Sequence, residues 1–177
     1  MFTGIRPSDL VVTGVVVTLA VLIGLENVTA AAGPELAHPL DSQSMLILPV
    51  FVLTALPLLW RRRHVLGAVA VSTLVLAASL PAFGWITRCG FALPLAAAFA
   101  YAVARFAGRG RPQVLGLLGI ALLEVVTLVM DSSTGGFGGL VLGLPAAALA
   151  YGAGVGVEKL SARRASAPTL SVEHAHV

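Results

Sequence analysis

Trp60-Arg61-Arg62-Arg63-His64 separates two apolar runs, residues 45–59 before it and 65–80 after it. Three consecutive arginines do not sit in hydrocarbon, because even the lenient insertion scale puts each at roughly 2.5–3.5 kcal/mol in the centre of a bilayer. The stretch therefore marks a membrane surface, with Trp60 as an interfacial ring. Lys and Arg collect in the loops that face the cytoplasm. Placing this loop there orients every other segment.

Working outward from that loop, apolar runs predict spans over residues 10–31, 44–60, 65–84, 90–107, 112–131 and 139–157, with a polar, disordered cytoplasmic tail over 158–177. At about 1.5 Å per residue, runs of this length cross a core of roughly 30 Å. Pro49 and Pro57 predict kinks in the second. One alternating set of gaps holds Arg6; Arg61, Arg62 and Arg63; Arg105, Arg109 and Arg111; and Lys159, Arg163 and Arg164, which is 10 of the 11 Lys and Arg residues. The opposite gaps hold only Arg88. The expectation is an all-α, polytopic six-helix bundle with both termini cytoplasmic, in the inner (plasma) membrane. A signal peptide is the alternative for the first run, with Val28-Thr29-Ala30 as its cleavage site.

Composition agrees. Of 177 residues, 58% are hydrophobic and 11% charged, whereas soluble domains carry about 25% charged residues. The net charge of +3 falls in short gaps between apolar runs, so the arginines are topology anchors and the partner is the lipid bilayer, with no nucleic acid. Cys89 is the single cysteine, which excludes an intrachain disulfide. Abundant Ala, Val, Leu, Gly and Arg indicate a high-GC genome.

Helices in lipid are held by close approach of small residues. Ala96, Ala100 and Ala104 in the fourth run, and Ala148, Gly152 and Gly156 in the sixth, are the packing faces expected inside the bundle or at a homodimer interface.

Ionisable groups in apolar runs are expensive and point to function. Glu26 ends the first run and Glu124 lies in the fifth. Glu124, Thr127 and Asp131 fall at i, i+3 and i+7 on one helix face. Arg88 is their expected charge partner, which makes Glu26, Arg88, Glu124, Thr127 and Asp131 the candidate ligand-binding or charge cluster in the outer half of the bundle. The competing reading is a fixed structural pair. Glu35, His38 and Asp41 match no metal spacing and are read as a solvated loop; His174 and His176 lie in the tail. Asn27-Val28-Thr29 matches a glycosylation acceptor by accident of sequence at the membrane edge. There is no Ser-His-Asp set, no HExxH and no nucleotide fingerprint, and the Gly135–Gly139 stretch lacks the lysine and strand of a phosphate loop. No enzyme, metal or cofactor is expected.

Pro57-Leu58-Leu59-Trp60-Arg61-Arg62-Arg63-His64, followed by Val65-Leu66-Gly67-Ala68-Val69-Ala70-Val71, resembles the N-terminal membrane domain of actinobacterial sensor histidine kinases. Arg6-Pro7-Ser8-Asp9 before the first helix, Glu26 at its end, and Ala100-Tyr101-Ala102-Val103-Ala104-Arg105 at the end of a later helix agree with that pattern over residues 5–160. Val65 departs from the family's proline, and neither a phosphoacceptor box nor a nucleotide box follows. The resemblance implies a sensor-like, multi-pass module of a two-component system without its kinase, either stand-alone or a fragment, with a cytoplasmic signalling partner. The alternatives are the substrate-binding membrane subunit of a vitamin-type energy-coupling-factor transporter, or a structural or assembly protein.

Overall fold

Six helices pack in the computed structural model, which describes residues 5–29 and 36–166. They are α1 (Pro7–Thr29), α2 (Ile47–Ala55, continued by a 3-10 segment Leu56–Trp60), α3 (Val65–Phe83), α4 (Cys89–Phe106), α5 (Arg111–Leu128) and α6 (Leu140–Ser166, preceded by a 3-10 turn Phe137–Gly139). Among the described residues there is no strand, only a single bridge between Ile86 and Asp131. Ala30 of the cleavage-site reading, Glu35, His174 and His176 lie outside the described residues.

Five of the helices are long and apolar enough to cross a membrane. The protein is a multi-pass helical membrane protein. The second predicted span is corrected, because Ile47–Trp60 is shorter than a span. Nine α-helical and five 3-10 residues extend about 24 Å, short of a core of roughly 30 Å. Pro57 is the cause. It has no N–H for the α ladder, so the chain tightens into 3-10 geometry at Leu56. Pro49 sits in the first turn of α2, where no donor is needed.

The segment nevertheless runs the length of the bundle. Leu48 lies against Gly24 near the end of α1, while Arg61 reaches Asp9 at its start. The non-helical residues before α2 complete the return, since Asp41 bonds to Trp85 at the same end where Asn27 bonds to Thr87. Ser72 of α3 donates to the Thr54 carbonyl of α2 at 2.7 Å, a cross-helix bond of the kind that joins helices in lipid.

Helix α4 is the centre, touching α1, α3, α5 and α6. Its buried residues alternate large and small, with Phe91, Leu95, Phe99 and Val103 beside Ala92, Ala96, Ala100 and Ala104. The predicted alanine face of α4 thus packs inside the bundle. Its main neighbour is α6, where Gly154 stands so close that an added Cβ would lie 2.6 Å from the Ala104 Cβ and 2.9 Å from the Tyr101 carbonyl.

The predicted small-residue face of α6 points the other way. Ala148 and Gly152 are exposed and Gly156 is half-buried, and a Cβ at Gly152 or Gly156 meets nothing within 4 Å. The inward stripe is Gly143, Ala147 and Gly154, at spacings of four and seven residues, one helix face. Gly154→Ala is expected to destabilise by about 1–3 kcal/mol through overpacking. Gly152→Ala is expected to be neutral or to stabilise by up to about 1 kcal/mol through helix propensity. Thermal unfolding of the two variants in detergent checks the contrast.

The polar tail prediction is corrected over residues 158–166 alone. Helix α6 continues unbroken through residues 158–166, beyond the predicted span; residues 167–177 lie outside the described part. Arg109 and Glu158 approach to 3.7 Å, so the start of α5 and the late turns of α6 lie at one end. Arg61, Arg62 and Arg105 share a cavity there with Ser8. This is called the arginine end below, and the end holding Asn27, Arg88 and Asp131 the Asp131 end.

Candidate functional site

At the Asp131 end two of the connections between helices, α3–α4 and α5–α6, are tied to one buried carboxylate. Asp131 follows α5 and is fully buried. Its Oδ2 accepts from the backbone N–H of Arg88 at 2.7 Å and of Cys89 at 2.8 Å, which caps the start of α4. Its Oδ1 accepts from the backbone N–H of Ser133 (3.1 Å) and Thr134 (3.0 Å) and from their hydroxyls at 2.6 and 3.1 Å. An Asx-type turn at the head of the α5–α6 loop is thereby fused to the N-terminus of the central helix.

Arg88 lies beside it, fully buried. Its guanidinium donates to the carbonyls of Met130 at 2.6 Å and Gly84 at 3.0 Å. Burial pulls the guanidinium down to about 10, with the Asp131 charge acting in the opposite direction, so Arg88 remains a cation at neutral pH. Gly84 provides its carbonyl from the left-handed region at φ +59°, with the Asp41 side chain where a Cβ would stand. Asp41 accepts from the Trp85 N–H at 2.9 Å, and His38 stacks on the Trp85 ring at 4.0 Å. The loop read as solvated keeps His38 and Asp41 exposed, and both are fastened to Trp85. Asn27 is 1% exposed and pairs with both backbone groups of Thr87 at 2.8 Å, so its amide is engaged within the fold.

The predicted cluster is brought together only in part. Arg88 and Asp131 meet, though through the Arg88 backbone and long-range charge instead of a side-chain ion pair. Thr127 uses its hydroxyl on the Leu123 carbonyl at 2.7 Å. Glu26 is exposed on α1 and stands apart. The expected Arg88–Glu124 pairing is corrected: the arginine is taken by two carbonyls, and neither Glu124 oxygen has a hydrogen-bond partner among the described residues. Glu124 is 1% exposed, inside the bundle. Its carboxyl lies about 3.2 Å from where a Cβ would stand at Gly143 of α6. A buried, unpartnered carboxyl is a costly arrangement of this side chain in an apolar interior.

A second cluster, at the arginine end, was not foreseen. Asp9 is fully buried, and Arg61 is only 4% exposed. Asp9 accepts from Arg61 Nε at 3.0 Å and from Arg62 Nε at 2.8 Å. It also accepts from the Arg6 N–H at 3.0 Å, the reciprocal half of a capping box at the start of α1. Arg61 and Arg62 reach on to the Ser8 carbonyl and hydroxyl at 3.3 and 3.0 Å. Arg62 also stands over the Phe106 ring at 4.8 Å. Of the three arginines read as solvated topology anchors, Arg63 alone is exposed. The physical reason is Asp9, whose charge lets Arg61 leave water. The available signal was an acidic residue in the first turn of a helix placed at the same membrane face as the arginines.

Comparisons with protein-family models, with curated proteins and with solved structures give no match.

Proposed function

We propose that the protein is a signal-transducing membrane module of the inner membrane, in which the state of Glu124 is passed to α6 and from there to a cytoplasmic partner. The observation that carries the proposal is the contact of an unpartnered, buried carboxyl with Gly143 on α6. A cationic or hydrogen-bond-donating stimulus engaging Glu124 from the Asp131 end acts directly on that helix. α6 has 27 residues, is the least buried of the long helices, and carries Lys159, Arg163 and Arg164 beyond the bundle. A stimulus shifts such a helix only by its differential affinity for two arrangements. The resemblance to kinase sensor domains supports the same reading, as does the concentration of cations at one end, which the positive-inside rule assigns to the cytoplasm.

The transporter-subunit alternative has less support. A small-residue coupling surface on α4 is not open to that reading, because Ala96, Ala100 and Ala104 are buried within the bundle. Purification of the tagged chain in mild detergent separates the two. Retention of a cytoplasmic signalling protein, lost when Lys159, Arg163 and Arg164 are replaced by glutamine, is the expected result; retention of an ATPase pair contradicts it. Glu124→Gln keeps the shape and removes an uncompensated acid, so its thermal midpoint is expected to equal or exceed that of the wild type. A marked fall would make Glu124 a structural group.

A further inference from the structure

We propose that the arginine end holds a binding site for the phosphate headgroup of an anionic phospholipid. A cavity of about 490 Å3 lies there between α1, the α2–α3 connection and α4, lined by Arg61, Arg62, Arg105, Tyr101, Val12 and Ala98 among others. The lining carries three guanidinium groups, and the one carboxylate beside two of them, Asp9, is fully buried and already committed to Arg61, Arg62 and the Arg6 N–H. The cavity is therefore cationic.

Donors remain for a ligand. Arg61 and Arg62 engage Asp9 and Ser8 through Nε and Nη2, and no bond is made by the Nη1 of either among the described residues. Arg105 makes no hydrogen bond or ion pair among them; its guanidinium lies 6.0 Å from the Phe106 ring. Planar guanidinium forks match phosphate oxygens in geometry and charge.

The lining is graded along the bundle axis. Arg105 is in the last turn of α4, whereas Ala98 is seven residues deeper, about 10 Å at helical rise. Val12 likewise lies one turn deeper in α1 than Ser8. A site that is cationic at the membrane surface and apolar toward the hydrocarbon fits an amphiphile better than a free ion. Basic pockets between membrane helices on the cytoplasmic side take anionic headgroups in this way.

The test is native mass spectrometry of the full chain exchanged into an equal mixture of phosphatidylglycerol and phosphatidylcholine. Preferential retention of phosphatidylglycerol is expected. Arg105→Gln is expected to lower that retention about fivefold, the effect of about 1 kcal/mol for one cation near an anionic surface, and Arg105→Lys to restore most of it. Arg105 takes no part in the Asp9 cluster, so the fold is expected to persist, as the thermal midpoint verifies. Arg109→Gln, a cation of the same end with an 86% exposed side chain, is expected to leave the preference unchanged. Equal retention of the two lipids overturns the proposal. So does an Arg109→Gln effect as large as that of Arg105→Gln, or displacement of phosphatidylglycerol by excess inorganic phosphate, which would mark a site for the free anion.

Discussion

Replacing Asp131 with alanine is expected to lower the thermal midpoint of the protein in detergent by about 6–20 °C. The carboxylate accepts six hydrogen bonds, four from backbone N–H groups and two from hydroxyls. It also sits beside the buried cation of Arg88. Removing one partner of a buried charge pair costs about 3–5 kcal/mol, because the other charge is left uncompensated. For a chain of this size each kcal/mol corresponds to roughly 2–4 °C. Asp131→Asn is expected to fall in between. An amide keeps one acceptor oxygen, so one of the two donor groups loses its partner. The loss should be local at first: the start of α4 and the α5–α6 loop should gain amide exchange before the rest of the bundle. A midpoint within 2 °C of the wild type for the alanine variant (about 1 kcal/mol or less) would show that this clamp contributes little.

The second large effect is at the other end. Asp9→Ala is expected to cost about 3–5 kcal/mol, because Arg61 at 4% exposure cannot reach water without moving the α2–α3 connection. Arg62, with its side chain 24% exposed, can turn outward. The pair of residues allows a sharper test. Replacing a buried ion pair by apolar side chains of similar volume is often neutral, so the double variant Asp9→Ala with Arg61→Met is expected to recover most of the loss. Chemical denaturation of wild type, both single variants and the double variant gives the coupling. Additive losses would mean that Asp9 and Arg61 act independently.

Much of the architecture was legible in the chain because apolar runs and arginine placement are long-range signals that tertiary packing does not alter. Helices α1, α3, α4 and α5 begin and end within about three residues of their predicted spans. What escaped prediction depends on which side chain meets which. The 3-10 turn at Pro57 shortens α2, and a proline in an apolar run does not by itself announce whether it kinks, caps or tightens a helix. In α6, small residues occur on more than one face, so the spacing of Ala148, Gly152 and Gly156 fits a packing stripe as well as that of Gly143, Ala147 and Gly154. Only the neighbour Ala104 distinguishes them.

The candidate site was half legible for the same reason. Asp131 and Arg88 were identified as isolated charges outside the cationic end. Their mode of contact, through backbone N–H groups and carbonyls, has no sequence signature. Glu124 was identified by its cost in hydrocarbon, yet its neighbour is Gly143 and not a cation. Asp9 caps the start of α1, a local task, whereas its second task of holding Arg61 and Arg62 depends on α2 returning along α1.

The central claim is that the chain crosses the bilayer six times, including the shortened α2 segment, so that the start of α1, the α2–α3 and α4–α5 connections and the late turns of α6 share one face. Single cysteines in a Cys89→Ser background test it with a membrane-impermeant maleimide on intact cells. Ala37→Cys and Phe137→Cys, at exposed positions of the Asp131 end, are expected to label directly. His64→Cys and Arg109→Cys, exposed at the arginine end, are expected to label only after permeabilisation. Labelling of residues 37 and 64 from the same side would contradict the account, because Ile47–Trp60 would then not cross the membrane.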